Sequence, residues 1–210
     1  MKKIGMNVYK YEELNDDIKD SLYRKYRDSF EYPWRIEAEN TLDKFCEIFG
    51  IHINYMDIDY NHVEFTVDYE SYEHEEGIAQ MSPIRLRTYI INNFFEDIHN
   101  KKYILNRYTN NAHRYSNITY TRDCPLTGYC FDMDILDTIW DFIDNPMKYK
   151  YATYESILEE CLSQYMKAYN YDYDDMISKD YFESEIIPSE DKYYTNDGIE
   201  IDMDMYEEIV

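Results

Sequence analysis

A chain of 210 residues carries 44 Asp and Glu against 21 Lys and Arg, a formal net charge of −23. That length suits one domain able to bury a core, and so negative a chain excludes non-specific attraction to nucleic acid or to an anionic membrane surface. An aromatic content of 18%, with 26 Tyr, argues against disorder, because disordered chains are poor in aromatics. No apolar run approaches the roughly 20 residues that span a bilayer. The opening MKKIGMNVYKY lacks the apolar centre of a signal peptide, and Cys46, Cys124, Cys130 and Cys161 form no Cys-x-x-Cys pair. These features predict a cytosolic protein with reduced thiols.

Along the chain, Ile4 to Tyr11 reads as a short strand or extended arm. Asn15 is placed as an N-cap, and Ile18, Leu22, Tyr26 and Phe30 then fall on one helical stripe. A second helix from Trp34 to Phe49 has Ala38, Leu42, Phe45, Cys46 and Phe49 on one face and Gly50 as its stop. Alternation over Ile51 to Asp59 and Val63 to Tyr69 predicts a hairpin. Ser82-Pro83 opens a helix to about residue 98, with Ile84, Ile90, Ile91, Phe94, Phe95 and Ile98 inward. Residues 113–122 and Gly128 to Asp132 read as strands, and Met133 to Ile143 as a helix ended by Asn145-Pro146. Thr153 caps a helix to about Tyr169, a helical stretch covers 174–187, and Asn196-Asp197-Gly198 turns a hairpin between Lys192 and Met203. Irregular alternation of helices and strands predicts an α+β fold, several amphipathic helices packed on a small, mainly antiparallel sheet. One domain over 1–210 is expected, with a subdivision, if any, near 110–125.

The charge is uneven. Residues 1–105 hold 21 acids and 13 bases, whereas 106–210 hold 23 acids and 8 bases. Residues 98–122 contain Lys101, Lys102, Arg107, Arg114 and Arg122 and no acid. The helix at 133–144 is the most informative segment. Asp134, Asp137, Asp141 and Asp144 recur at spacings of 3, 4 and 3, which puts all four carboxylates on one face. Like charges so placed repel by a few tenths of a kcal/mol per pair, and a helix that needed only solubility would interleave Lys. Two readings stand: a solvated face, or a row of carboxylates imitating phosphates for a partner's basic groove. On the second, the partner-binding residues are Asp132, Asp134, Asp137, Asp141 and Asp144, together with Asp172, Asp174, Asp175, Glu183, Asp202 and Asp204 further on.

Catalytic and metal chemistry find little support. A calcium loop starting at Asp172 would need Gly at its sixth position and has Ile177. His52, His62, His74, His99 and His113 lie in no zinc-ligand spacing. There is no Gly-x-Ser-x-Gly elbow, and five glycines in all leave no phosphate cradle. The expectation is no enzyme, no cofactor and no metal.

Val8-Tyr9-Lys10-Tyr11-Glu12-Glu13-Leu14, followed by Asn15-Asp16-Asp17-Ile18-Lys19 and the cluster Tyr23 to Arg27, resembles the opening of a family of small, acidic bacteriophage and prophage accessory proteins. Gly128-Tyr129-Cys130-Phe131-Asp132, Thr153-Tyr154-Glu155 and Tyr193-Tyr194-Thr195-Asn196-Asp197-Gly198 resemble further segments of it. Relatives often have a Gly- and Trp-containing stretch where Val63 to Gly77 is acidic and aromatic here. The resemblance implies a phage origin and an accessory, antitoxin-like role in the infected bacterium's cytoplasm, and brings no catalytic residue. With the charge, it leads to the expectation of an anti-defence inhibitor, anti-CRISPR-like, whose DNA-mimicking surface binds a host effector with a basic nucleic-acid groove, a CRISPR nuclease or a restriction enzyme. The alternative is an antitoxin-like or regulatory module that neutralises a basic partner.

Overall fold

The computed structural model describes residues 7–70, 72–103, 118–190 and 192–201. The fold is α+β. The chain divides into two compact units, one made of 33–170 and the other of 1–32 with 171–210. The subdivision expected near 110–125 falls mostly outside the described residues.

The unit 33–170 opens with α1-independent helix α2 (Arg35–Phe49), numbered after α1 (Asp16–Ser29) of the other unit. Gly50, at φ 62°, stops α2 and sends the chain straight into β1 (Ile51–Asp57), which pairs antiparallel with β2 (His62–Val67). A bulge lies at the irregularity between Ile53 and Tyr55. The hairpin is as expected. α3 (Tyr72–Ala79) was not foreseen, because its acidic, Gly-containing segment has no clear apolar stripe. α4 (Pro83–Phe94) stops a turn earlier than expected, and its buried residues are Leu86 and Ile90, whereas Ile84 faces water. β3 (Asn100–Tyr103) pairs antiparallel with β4 (Ile118–Thr121), the described end of the expected strand 113–122. α5 (Phe131–Asp144) and the first part of α6 (Tyr154–Met176) complete the unit.

The core of this unit is helical. Ala38, Leu42, Phe45 and Phe49 of α2, Leu86 and Ile90 of α4, Ile135, Leu136, Ile139, Phe142 and Ile143 of α5, and Ile157, Leu158, Cys161, Leu162, Tyr165 and Met166 of α6 are all buried. Burial of each large aliphatic side chain stabilises the fold by roughly 1.5–3 kcal/mol. Trp140 donates its indole N–H to the Ile98 carbonyl at 3.2 Å, so the aromatic enters the core without an orphaned donor.

In the other unit, α1 starts where Asn15 accepts the Ile18 N–H at 3.0 Å. None of its residues is fully buried; Ile18, Leu22, Tyr23 and Tyr26 pack against a small core of Tyr11, Leu14, Phe182 and Tyr194. Tyr26 and Tyr23 donate their hydroxyls to the carbonyls of Met176 and Ile177 at 2.7 and 2.9 Å. These are carbonyls at the end of α6 that no further helical turn satisfies. Helix 153–169 and the helical stretch 174–187 were expected apart; instead α6 runs unbroken to Met176. Ser178 then caps a new start, its hydroxyl accepting the Tyr181 N–H at 3.1 Å. α7 (Lys179–Tyr181), a π-helical turn (Phe182–Ile186) and α8 (Ile187–Ser189) follow without interruption. β5 (Tyr193–Tyr194) pairs with β6 (Glu200–Ile201) around Gly198, and Tyr9 bridges to Tyr194. The described strands thus form three separate two-stranded antiparallel ribbons rather than one sheet.

Candidate functional site

The acidic face of α5 begins with a correction. Gly128 to Asp132 is a loop running into a helix, not a strand, and Asp132 makes it so. Its carboxylate is fully buried. One oxygen accepts the backbone N–H groups of Leu126, Thr127 and Gly128 at 2.9, 2.7 and 3.0 Å. The other accepts the hydroxyls of Thr41 and Thr127, each at 2.8 Å. Five donors around one carboxylate fold the loop back onto α5 and tie it to α2. Asp132 is therefore a structural anchor, out of a partner's reach, and not the partner-binding residue expected.

The four stripe residues do share a face, but not a condition. Asp134 and Asp137 are exposed. Asp141 accepts Lys148 Nζ at 2.5 Å, the Tyr149 hydroxyl at 2.6 Å and the Asn145 side-chain amide at 2.9 Å. Those bonds, Lys148 first, hold its carboxyl down at about 2. The Tyr149 hydroxyl is pushed up, by burial and then by the same bond. Asp144 receives both terminal nitrogens of Arg122, at 2.8 and 2.9 Å, and its carboxyl is lowered by that fork. Asp141 and Asp144 thus come with their own cations. Asp137 makes no hydrogen bond or ion pair among the described residues.

Asp137 and Asp141 flank a cleft of about 450 Å³ between α5 and α6, closed on the far side by Glu160 and Gln164. Glu160 accepts the Gln164 amide at 2.6 Å and lies 3.8 Å from Lys167. Three acids early in α6 are absent from the expected set: Glu155, Glu159 and Glu160 sit on its exposed side, opposite the apolar stripe that identified the helix.

The remaining expected residues belong to the other unit. Asp172 is half-buried and accepts the Tyr32 hydroxyl at 2.5 Å. Glu183 accepts the Tyr11 hydroxyl at 3.0 Å and lies 4.0 Å from Lys179. Asp174 and Asp175 are exposed on the last turn of α6. Asp202 and Asp204 lie outside the described residues. The expected set is thereby divided between the two units.

The basic segment supplies counter-ions to its own chain: besides Arg122 on Asp144, Lys101 reaches Glu96 at 2.8 Å. Among the described residues no three His, Cys, Asp or Glu side chains gather as metal ligands, and no helix is long and apolar enough to cross a membrane. Comparison with protein-family models, with curated proteins and with solved structures gives no match.

Proposed function

We propose that this chain is a binding protein, not an enzyme, and that its carboxylates take the place of phosphates in the basic groove of a nucleic-acid-binding protein. The observation that carries the proposal is charge left uncompensated in each unit by itself. Residues 33–170 hold 23 acids and 12 bases; the rest of the chain holds 21 acids and 9 bases. A groove built to hold phosphates presents cations that offset the desolvation of incoming carboxylates, and counter-ions leave both partners on contact, so binding weakens with salt. In the setting the resemblance implies, the target is a host defence effector, a CRISPR nuclease or restriction enzyme, met in the bacterial cytoplasm. The exposed Asp137, with Asp134 and Glu160, is the patch assigned to that contact.

A second reading is favoured by the internal pairing of Asp141 and Asp144. A row in which Asp141 and Asp144 already hold cations imitates a phosphate backbone less evenly, and suits an antitoxin-like module shaped for one basic protein. Competition separates the readings. The protein is titrated into a complex of the captured partner with labelled duplex DNA, at several salt concentrations. Displacement of DNA, weakening with salt and weakened again by Asp134→Asn/Asp137→Asn/Glu160→Gln, supports the first reading. Binding without displacement supports the second. A gel shift showing sub-micromolar binding of the protein itself to duplex DNA removes the phosphate-mimic reading.

A further inference from the structure

The hairpin β1–β2 ends in an unused edge. β2 pairs with β1 alone, and 62–67 make no other backbone hydrogen bond among the described residues. The direction of the free groups follows from the register. Asp68 N–H donates to the Gly50 carbonyl at 2.7 Å, so that pair is a bonded one, and alternation in an antiparallel ladder makes Thr66 and Glu64 the next residues bonded to β1. The N–H and C=O groups of Val63, Phe65 and Val67 therefore point away from β1. Natural edges are blunted by Lys, by Pro or by a covering element. β2 (His-Val-Glu-Phe-Thr-Val) has neither Lys nor Pro, and its one acidic charge is Glu64.

Alongside this edge runs a cleft of about 470 Å³, lined by all of 63–67 and by Tyr69, Glu75, Glu155 and Glu159. It contains four carboxylates and no Lys or Arg. Glu155 accepts the Tyr69 hydroxyl at 3.2 Å, while Glu75 and Glu159 make no hydrogen bond or ion pair among the described residues. Val63, Phe65 and Val67 are half-buried and alternate with exposed His62, Glu64 and Thr66.

We propose that the β2 edge is a strand-addition site for an extended segment of a basic protein, in which Lys or Arg alternates with small apolar residues. The added strand takes its main-chain hydrogen bonds from Val63, Phe65 and Val67, about 4.8 Å from β2. Its cations meet the carboxylates of Glu75, Glu155 and Glu159, and its apolar side chains, which alternate with them, project from the opposite face of the ribbon. A second copy of this chain is disfavoured as the occupant, since Glu64 and the cleft's acids would face the same charges again. The proposal rests on the reading that the partner is basic, and adds where and in what conformation it is held.

The probe is a capped octapeptide of alternating Val and Lys, with a version N-methylated at alternate residues on its bonding edge as control. Titration into the full chain is followed by calorimetry and by amide hydrogen exchange. Expected are at least tenfold weaker binding for the methylated peptide, at least tenfold weaker binding to Glu75→Gln/Glu159→Gln, and slowed exchange at Val63, Phe65 and Val67. Circular dichroism establishes that the variant is folded; if it is not, the methylated control and the exchange pattern on wild type decide. Equal binding of the methylated peptide, or protection elsewhere, refutes strand addition and leaves binding of a basic partner standing. Protection of the edge that rises with protein concentration without peptide refutes it in favour of self-pairing. Failure to compete with DNA at the captured effector overturns the phosphate-mimic reading and does not bear on this edge.

Discussion

Removing the Asp132 carboxylate tests the claim that it is an anchor and not a contact residue. In Asp132→Ala the N–H groups of Leu126, Thr127 and Gly128 lose their shared acceptor. An orphaned buried donor costs about 1–3 kcal/mol, and these amides are only partly buried, so the lower end applies and three amount to about 3 kcal/mol. The hydroxyls of Thr41 and Thr127 lie 3.0 Å apart and, freed from the carboxylate, bond to each other, adding little. Asp132→Asn keeps an oxygen for the three amides, and its NH₂ donates to the two hydroxyls, which rotate to accept. What goes is the charge assistance, about 1–1.5 kcal/mol. At about 2–4 °C per kcal/mol for a chain of this size, Tm falls about 6–12 °C for Ala and about 2–6 °C for Asn. Near-UV circular dichroism follows the transition, because it reads tertiary packing. An Ala variant that melts within about 2 °C of wild type, or an Asn variant less stable than the Ala one, refutes the anchor.

Three further outcomes are expected. Asp141→Asn and Asp144→Asn lower stability by up to about 1 kcal/mol each rather than relieving repulsion, since each loses a cation partly washed by water; because the Asp141 carboxyl is held at about 2, its contribution is present above the ordinary carboxyl range and disappears as pH falls toward 2, which urea midpoints measured from pH 5 to 2 will follow. His99 is lowered chiefly by burial, with Arg122 also lowering it and the Phe95 carbonyl and Asp144 opposing, so the unfolded chain takes up its proton first and stability drops as pH falls through about 6.5; urea midpoints between pH 7.5 and 5.5 should decline in wild type and flatten in His99→Gln. Gly198→Ala places a Cβ at φ 77° and 2.8 Å from Ile18 Cγ2, and should cost about 1–3 kcal/mol in chemical denaturation, whereas Gly77→Ala, with open space around it and no strained φ, should not.

Local punctuation in this chain was readable. Asn15, Gly50 and Ser82-Pro83 mark element ends, and strict alternation over Val63 to Val67 found the hairpin, because those signals act within a few residues. What failed depended on distance. Gly128 to Asp132 reads as a short strand, but the Asp132 carboxylate gathers the amides of Leu126, Thr127 and Gly128 and, from 91 residues earlier, the Thr41 hydroxyl, and so folds it as a loop. α6 passes through 170–173 without a break, and tyrosines of α1 satisfy the carbonyls at and just past its end, contacts that α6's own residues do not reveal. The acidic face of α5 was legible from spacing alone. Its partial neutralisation was not: Arg122 lies 22 residues from Asp144, and Lys148 and Tyr149 reach Asp141 only because the chain turns at Pro146. Glu155, Glu159 and Glu160 were visible in the sequence, but their helix was read for its apolar side.

The discontinuous make-up of the smaller unit has a consequence for biosynthesis. Tyr11 and Leu14 emerge from the ribosome early, but Phe182 and Tyr194, which complete their core, come only after the whole of 33–170 has been made. At about 5–20 residues per second, the opening segment waits on the order of ten seconds or more with its apolar side uncovered. Its composition fits that interval: residues 1–32 carry seven acids and seven bases, so the waiting segment is highly charged yet neutral overall. The acids that make the finished unit strongly negative arrive last, with the strands that close it.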